Sequence, residues 1–286
     1  MSVVIKELTH IYSIGTPYQM TAISDISTEI QDGEFVCIIG HTGSGKSTLI
    51  QHINGLIKPT SGTLVVEGVD MATAKSELRQ LRMRVGLVFQ YPEQQLFEET
   101  VEKDVAFGPK NMGLPPEEIK ARVEYSLKLM HLDPEEIGKS SPFDLSGGQR
   151  RRVAIAGVLA MKPSVLILDE PSAGMDPQAR RSLREIFRGI HREAGCTILM
   201  VSHSMDEVAM VADRVIVLDK GRLVMDGTPE EIFSHGDALR EMNLAVPTMT
   251  QVAEGLRLKG VDCPLPMLTV EDMSAWLLSR IGEGRQ

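Results

Sequence analysis

The chain has 286 residues, 42% of them hydrophobic and 24% charged, which suits a soluble protein with one large domain and room for a smaller one. Its formal net charge of −9 leaves no basic excess for a general nucleic-acid binder. Apolar runs of strand length, a start without the layout of a secretory signal and three scattered cysteines predict a cytoplasmic chain without a disulfide framework or zinc site.

The first part of the chain predicts strands. Residues 2–12 and 21–31 alternate between apolar and polar side chains, as half-buried strands do. Further strands are predicted at 62–66 and 84–89, with a short helix at 76–81 between them.

A glycine-rich loop, GHTGSGKST at residues 40–48, lies between an apolar strand at 35–39 and a helix at 46–54. Strand, glycine-rich loop and helix form the setting of a phosphate-binding P-loop. Its glycines let the backbone approach a polyphosphate, Lys46 supplies positive charge to the β- and γ-phosphates, and the Ser47 hydroxyl suits Mg²⁺. The nucleotide-binding residues predicted in this loop are Gly40, His41, Thr42, Gly43, Ser44, Gly45, Lys46, Ser47 and Thr48.

Strand signals fade between residues 91 and 161, and helices are predicted instead at 100–107, 116–130 and 148–161. The middle helix has an apolar stripe at helical spacing, formed by Ile119, Val123, Leu127 and Met130. We expect this region to be a helical insert within an α/β domain.

Strands and helices alternate again after residue 161. Strands are predicted at 165–168 and 197–201, a helix at 178–193 and a hairpin from 214–219 to 222–226. Ser204 with Glu207 predicts a capping box, and Thr228, Pro229 and Glu231 predict another helix start. Near-continuous apolar strands between helices indicate a parallel sheet covered on both faces, in whose core Cys37 and Cys196 are expected to pack.

The pattern changes once more near residue 245, where prolines interrupt short amphipathic helices. A last apolar stripe is formed by Val270, Met273, Leu277 and Ile281. We therefore expect an α/β domain at 1–244 and a small C-terminal extension at 245–286.

Two acids follow the buried strand at 165–168. The carboxyl end of such a strand lies beside the P-loop in a parallel sheet. Asp169 is then placed to hold Mg²⁺, directly or through water, and Glu170 to polarise an attacking water.

The string LSGGQ at residues 145–149 precedes a helix, so backbone N–H groups, a hydroxyl and the helix dipole form a second anion-binding edge. Its candidate binding residues are Ser146, Gly147, Gly148 and Gln149. A helix cap after a flexible loop would explain the string taken alone. A second phosphate-binding edge in one chain instead indicates that this edge faces a nucleotide held by another subunit.

The strings GHTGSGKST, LSGGQ and VLILDEP, with Gln90 and His203, resemble the ATP-binding-cassette ATPases over about residues 2–240. The resemblance implies an α/β fold of the P-loop NTPase class, with a mostly parallel sheet, an antiparallel β subdomain and a helical insert at about 91–161. It also implies ATP and Mg²⁺ as ligands and a head-to-tail pair of cassettes with two ATPs between P-loop and signature motif.

The same resemblance assigns roles to single residues. Gln90 matches the glutamine that senses Mg²⁺ and water, and His203 matches the histidine that contacts the γ-phosphate. Asp176, in SAGMDP, matches a loop that communicates across the pair. Tyr12 and Tyr18 compete as the aromatic residue that stacks on adenine, with Tyr12 preferred.

A narrower resemblance links the chain to the ATPase subunits of energy-coupling factor transporters and their cobalt or nickel relatives. It is carried by FQYPEQQLF at 89–97, by VEKDVAFGPKNMG at 101–113 and by Gly157, while His41 and Thr42 mark one of two paralogues. It implies a peripheral protein on the cytoplasmic face of the cell membrane. Its implied partners are a second, paralogous ATPase, an integral coupling subunit and a substrate-binding membrane subunit.

Two other functions compete with transport: a soluble cassette acting on nucleic acid or ribosomes, and a nucleotide-binding regulator without turnover. The basic run at 150–152 could suggest nucleic acid, but a solvated or internally paired role in the signature helix is preferred. The transported substrate, vitamin or metal ion, stays open because a membrane protein selects it.

Overall fold

The computed structural model describes residues 2–74 and 77–283. The strands within these ranges are β1 Val3–Tyr12, β2 Met20–Ile30, β3 Phe35–Ile39, β4 Ser61–Val66, β5 Val69–Asp70, β6 Val85–Val88, β7 Val165–Asp169, β8 Thr197–Val201, β9 Arg214–Asp219 and β10 Arg222–Gly227. They form a four-stranded sheet in the order β2-β1-β4-β5 and a six-stranded sheet in the order β10-β9-β3-β8-β7-β6.

The helices of the described residues are α1 Lys46–Ile53, α2 Glu77–Arg84, α3 Val101–Asn111, α4 Pro116–Leu129, α5 Pro134–Ile137, α6 Gly147–Leu159, α7 Pro177–Ala194, α8 Met205–Val211, α9 Pro229–Ser234, α10 Gly236–Glu241, α11 Thr248–Leu258 and α12 Val270–Glu283. Two 3₁₀ turns lie at Pro92–Gln95 and Pro142–Asp144. The longer predicted elements are all confirmed. The predicted helix at 76–81 is described from Glu77 onward, and Ser76 lies outside the described residues.

The six-stranded sheet is parallel except at one edge. β3 pairs in parallel with β8 and β9, and β7 pairs in parallel with β8 and β6. All five residues of β3 are buried, as expected of a central strand with both faces covered. β10 is antiparallel to β9 and alternates between exposed and half-buried residues, as the predicted hairpin requires. The expected parallel sheet is therefore confirmed.

The two faces of this sheet belong to different cores. On one face, Val36 and Ile38 pack with residues of the antiparallel sheet and with Leu49 of α1. On the other face, Cys37 and Ile39 pack with the helices of the insert and with α7. Each fully buried large aliphatic side chain contributes roughly 1.5–3 kcal/mol to stability. The antiparallel β subdomain is therefore fused to the main sheet through one continuous core.

The helical insert packs around α6, which contacts both α3 and α4. Val123, Leu127 and Met130 are buried and Ile119 packs against them, so the stripe predicted for α4 faces the core. Cys196 is buried as predicted. The insert thus joins the second core without a strand of its own among the described residues.

One predicted capping box is wrong in half of its bonds. The Ser204 hydroxyl accepts from the Glu207 backbone N–H at the start of α8, as predicted. The Glu207 side chain does not return to the cap and instead accepts hydrogen bonds from Ser172 and Ser202. Tertiary hydroxyl groups outcompete the local cap for this carboxylate. At α9, by contrast, both bonds of the predicted box are present.

The C-terminal segment has a small core of its own. It consists of Ala253, Cys263, Met267 and Met273, with Met249, Leu256 and Trp276 packed against it. Of the predicted last stripe, Met273 is buried, whereas Val270 and Leu277 are largely exposed and the side chain of Ile281 lies outside the described residues. The Asp206 carboxylate accepts from the backbone N–H and hydroxyl of Thr248, which ties the segment to α8.

Each helix in the described ranges is too short or too polar to cross a membrane.

Candidate functional site

The P-loop connects the end of β3 to the start of α1, and two of its glycines are sterically required. A Cβ at Gly40 would lie 2.4 Å from the carbonyl oxygen of Leu218 and from Ser44 Oγ. A Cβ at Gly45, where φ is +102°, would lie 2.7 Å from Ile23 Cγ2. Larger residues would push the loop away from β2 and β9. The close packing fixes where the loop's N–H groups lie.

Lys46, the first residue of α1, turns back into the loop that precedes it. Its ammonium group donates to the carbonyl oxygens of Gly40 and His41 at 2.7 and 2.9 Å. Burial lowers the pKa of Lys46, while the negative charges of Glu170 and Asp169 act in the opposite direction. The ammonium therefore lies inside the loop within the field of both strand-end acids.

The hairpin of β9 and β10 braces the P-loop from the other side. His41 Nε2 lies 3.0 Å from Asp219 Oδ1, and His41 Nδ1 lies 2.7 Å from the Thr42 carbonyl oxygen. The backbone N–H of Gly221 donates to the Ser44 carbonyl at 3.1 Å. The sequence predicts that His41 marks one paralogue, and in the structure His41 tethers the loop to Asp219. The pattern D-x-G at the hairpin turn gave no sign of this contact.

The two tyrosines proposed for adenine differ in position. Tyr12 lies 3.3 Å, oxygen to oxygen, from Thr48 and lines a cavity of about 190 Å³. The same cavity is lined by Gly43, Gly45, Lys46, Ser47 and Thr48, together with Met20, Thr21 and Ala22. Tyr18 is 84% exposed and does not line it. This geometry favours Tyr12, and the stacking role itself stays a prediction.

Asp169 and Glu170 lie at the carboxyl end of β7, as predicted. Burial and repulsion from Glu170 raise the pKa of Asp169, against the opposing charges of Lys46 and His203. Glu170 has a φ of +50°, a conformation that costs free energy for a residue other than glycine. Its backbone N–H donates to the Val201 carbonyl at 3.0 Å. The end of β8 thus holds Glu170 in its strained conformation.

The three predicted catalytic residues lie together, because Gln90 and His203 both contact the carboxylate of Glu170. The Gln90 amide nitrogen donates to Glu170 Oε2 at 3.2 Å, and His203 Nε2 lies 2.9 Å from Glu170 Oε1. Gln90 follows β6 and His203 follows β8, the two strands that flank β7. A cavity of about 240 Å³ lies beside Glu170 and His203. The parallel register therefore delivers these side chains to one point at the carboxyl edge of the sheet.

The signature segment caps its own helix. Ser146 Oγ accepts from the Gln149 backbone N–H, and Gln149 Oε1 accepts from the Ser146 backbone N–H, which completes a capping box. Ser146, Gly147 and Gly148 are exposed. A Cβ at Gly147 or Gly148 would contact no described atom within 4 Å. Packing inside the described chain thus gives no reason for either glycine.

Asp176 is the N-cap of α7, where its carboxylate accepts from the Ala179 backbone N–H at 2.9 Å. The predicted role of this residue across a pair of cassettes stays a prediction. Within a single chain, helix capping is sufficient to explain why an aspartate occupies this position.

A partly buried ion pair lies beside the site, and the sequence did not identify its partners. Arg151 donates to both carboxylate oxygens of Glu93, at 2.9 and 3.0 Å, and also to the Ala173 carbonyl. It therefore joins the segment after Gln90 to the segment after Glu170. The predicted internal pairing of the basic run is confirmed for Arg151. Only the run of three arginines in the sequence signalled this residue, and the partners could not be read from it.

Comparisons with known proteins identify the family of the chain. Residues 23–173 match the family model described as ABC transporter. The chain is 53% identical to the energy-coupling factor transporter ATP-binding protein EcfA2 of Clostridium perfringens, over 98% of this chain and 99% of that one. It is 48% identical to the protein of the same name from Clostridioides difficile, over 100% of this chain and 99% of that one.

Solved structures that are similar to this chain are also ABC transporter cassettes. The structure of cbiO1 from Clostridium perfringens, part of the ABC transporter complex cbiONQ, is 38% identical with a TM-score of 0.75 and covers 90% of this chain and 98% of its own. A dimeric ATP-binding cassette in a post-hydrolysis state with ADP and Pi is 29% identical with a TM-score of 0.72, over 79% of this chain and 98% of its own. The chain belongs to the ABC transporter ATPases and, within them, to the energy-coupling factor transporter ATP-binding proteins.

Proposed function

We propose that this chain binds and hydrolyses ATP as one subunit of an energy-coupling factor transporter and so drives uptake of a micronutrient through a membrane partner. The observation that carries the proposal is the meeting of Gln90 and His203 on the two oxygens of Glu170, within the field of Lys46. Such an arrangement suits in-line attack of a water on a terminal phosphoryl group.

Each residue has a distinct task in this reaction. Glu170 takes a proton from the attacking water, and Gln90 and His203 orient its carboxylate. His203 also faces the γ-phosphate. The ammonium of Lys46 and the N–H groups of the P-loop stabilise the charge that develops on the transferred phosphoryl group. Tyr12 stacks on the adenine ring.

The donor set at the site fits Mg²⁺. This ion prefers oxygen ligands and is held in such sites by few protein groups together with phosphate oxygens. Burial and the neighbouring carboxylate of Glu170 raise the pKa of Asp169, so a cation at this position would relieve the repulsion between the two acids. Ser47, Gln90 and Asp169 would hold the ion, directly or through water. When bound, Mg²⁺ neutralises charge on the β- and γ-phosphates.

The signature segment supplies the other half of a site in a second cassette. Its exposed Ser146 and two glycines leave open space for a phosphate brought by a partner chain, and α6 points its N-terminus there. Gln149 completes this edge, and Asp176 lies on the loop that communicates across the pair. We propose a paralogous ATPase as the partner, which makes the pair a heterodimer.

A groove between α3 and α6 is the proposed dock for the integral coupling subunit. It has a volume of about 290 Å³, and its lining includes Leu96, Phe107, Gly108, Gly157 and Met161. Phe107 is 45% exposed and forms an edge-to-face pair with the exposed Phe97. Such an apolar groove fits a short helix of a membrane protein. Docking there places the chain on the cytoplasmic face of the membrane as a peripheral protein, alongside a substrate-binding membrane subunit.

We place the boundary between the ATP-binding domain and the extension at 244/245. The extension has its own small core and leaves apolar residues such as Leu258 and Leu278 exposed. This supports a role of residues 245–286 in stabilising the pair. A vitamin and a transition-metal ion are both compatible substrates, the second because the chain is similar to cbiO1 of the cbiONQ transporter.

The alternative, a soluble cassette that acts on nucleic acid or ribosomes, would use the basic run at 150–152. Arg151 is instead paired with Glu93 inside the chain. The transporter function is therefore preferred.

The decisive experiment is Glu170→Gln in the complex purified in mild detergent with its ATPase and membrane partners. We expect retained ATP binding and a loss of turnover by about 100-fold or more, because the general base is removed. Glu185→Gln, an exposed change on α7, should leave turnover unchanged. Near-normal hydrolysis by Glu170→Gln would contradict the proposed mechanism. A monomer that never associates with membrane proteins would contradict the transporter assignment.

A further inference from the structure

Glu207 is a buried carboxylate that takes no direct part in the chemistry described above. It lies on α8 and is 8% exposed. Its Oε2 atom accepts two hydrogen bonds, from Ser172 Oγ at 3.0 Å and from Ser202 Oγ at 2.9 Å. Both serines are themselves buried. One oxygen atom therefore joins two loops that leave adjacent strands.

These two loops carry the catalytic candidates. Ser172 comes two residues after Glu170, and Ser202 immediately precedes His203. The Ser202 hydroxyl also accepts from the Ser204 backbone N–H at 3.1 Å. The backbone joins Glu170 to Ser172, and hydrogen bonds join Ser172 to Glu207 and Glu207 to Ser202. The backbone then joins Ser202 to His203, whose ring contacts Glu170 again. These contacts and the intervening backbone segments form a closed circuit that includes the reacting carboxylate.

A buried carboxylate costs free energy unless hydrogen bonds or an opposite charge compensate for it. Among the described residues no lysine, arginine or histidine forms an ion pair with Glu207, and its side-chain bonds come from the two hydroxyls. Glu207 also affects a core residue: burial raises the pKa of the Cys37 thiol, and Glu207 adds to this effect. Helix capping does not account for the side chain, because Ser204 already caps α8.

We propose that Glu207 is a positioning residue that couples the loop after Glu170 to His203. The general base, Glu170, and the residue that faces the γ-phosphate, His203, then move as one unit. This inference rests on the proposed roles of Glu170 and His203. The requirement is for a hydrogen-bond acceptor at Oε2. Glutamine, whose amide oxygen can accept both bonds, should therefore replace glutamate, and alanine should not.

The test measures ATP hydrolysis and ATP affinity of the assembled transporter with Glu207→Ala and Glu207→Gln. We expect Glu207→Ala to lower kcat by about 10- to 100-fold, because small displacements of reacting groups have effects of this size. The KM for ATP should stay within about twofold, since the P-loop is untouched. Glu207→Gln should restore kcat to within about threefold of the wild type.

Two serine variants test the same coupling without removing the carboxylate. Ser172→Ala and Ser202→Ala should each lower kcat, and the double variant should lower it by less than the product of the two effects, because both bonds serve one unit. Ser126→Ala removes a buried hydroxyl on α4 that donates to the Val123 carbonyl, and it should leave kcat unchanged. The serine variants decide the matter if Glu207→Ala fails to fold.

Wild-type kcat in Glu207→Ala would overturn the inference. So would multiplicative effects of the two serine changes, or a parallel loss of kcat, ATP affinity and thermal stability that glutamine does not rescue. The proposed function fails separately: turnover by Glu170→Gln would refute it whatever Glu207 does. An inactive Glu170→Gln variant beside a fully active Glu207→Ala variant would refute only the coupling.

Discussion

The His203 imidazole contacts the Glu170 carboxylate, with 2.9 Å between Nε2 and Oε1. The Gln90 amide holds the other carboxylate oxygen, so the side chain is oriented from both sides. Glu170 also occupies a backbone conformation with positive φ. Two contacts that fix the carboxylate are consistent with the preorganised general base proposed above.

Removing either neighbour should therefore slow turnover while ATP still binds. We expect His203→Ala to lower kcat by about 100-fold and Gln90→Ala to lower it by about tenfold or more, because the carboxylate loses one of its two supports. Steady-state phosphate release from the assembled complex measures both. His235→Ala, at an exposed histidine, serves as the control. Unchanged kcat in His203→Ala would remove this residue from the mechanism.

The open space around Gly148 gives a second prediction. An alanine there and an alanine at Gly189 on α7 both meet no described atom within 4 Å, and neither glycine has a positive φ. Each change should stabilise the single chain by up to about 1 kcal/mol, because glycine loses more backbone entropy on folding.

Only Gly148→Ala should impair the pair of cassettes, since only Gly148 lies on the face proposed for the partner's phosphate. We expect it to lower kcat of the complex by about tenfold or more, and Gly189→Ala to leave kcat unchanged. Urea unfolding of the single chain and ATP turnover of the complex separate the two effects. Equal turnover in both variants would show that the signature segment faces no nucleotide.

The choice between the two tyrosines can be tested directly. Tyr12→Ala should raise the Kd for ATP by about tenfold or more, because loss of one aromatic stacking partner costs about 1–3 kcal/mol. Tyr12→Phe should retain the affinity, and the exposed Tyr18→Ala should have no effect. Fluorescent-nucleotide titration measures all three. A larger effect of Tyr18→Ala would reverse the assignment.

His52 predicts a pH dependence of stability. Burial lowers the pKa of this fully buried histidine below its ordinary value of 6.5, and the ring of His10 lies 4.7 Å away. Between this lowered pKa and about pH 6.5, the unfolded chain binds a proton at His52 that the folded chain does not. The free energy of unfolding therefore falls as the pH drops from about 6.5 toward the lowered folded pKa.

His52→Gln keeps a donor for the Thr48 carbonyl, which His52 Nδ1 contacts at 2.7 Å, and removes the titration. Its free energy of unfolding should fall less between pH 7 and 5.5 than that of the wild type, by up to about 1.4 kcal/mol for each pH unit. Urea unfolding at several pH values measures this, with the exposed His235→Gln as the control. Equal slopes for wild type and His52→Gln would contradict the prediction.

The elements were predictable where a local period or motif was long enough. The apolar run of β3, the P-loop and the stripe of α4 all appear in the sequence before any contact is known. The four-residue α5 and the two 3₁₀ turns span too few residues to show a period. Strand order was not predictable, because pairing between distant strands leaves no local pattern.

The site was predictable as a set of residues, whereas its bonds were not. Gln90 and Glu170 are 80 positions apart and meet only because β6 and β7 pair in parallel. Glu207 shows the limit most clearly. Its spacing from Ser204 predicts a local cap, but its carboxylate instead accepts a hydrogen bond from the hydroxyl of Ser172, 35 positions earlier.

The position of β8 in the sheet has a consequence for biosynthesis. β3 carries the P-loop near the start of the chain, and its two neighbours in the described sheet are β8 and β9, which begin at Thr197 and Arg214. A ribosome-bound chain that ends before these strands presents β3 with both edges unpaired. Such an intermediate exposes an aggregation-prone apolar strand until most of the protein has been translated. We therefore expect chaperones to protect this strand until β8 and β9 emerge from the ribosome. The chain should first become able to bind ATP at the same point.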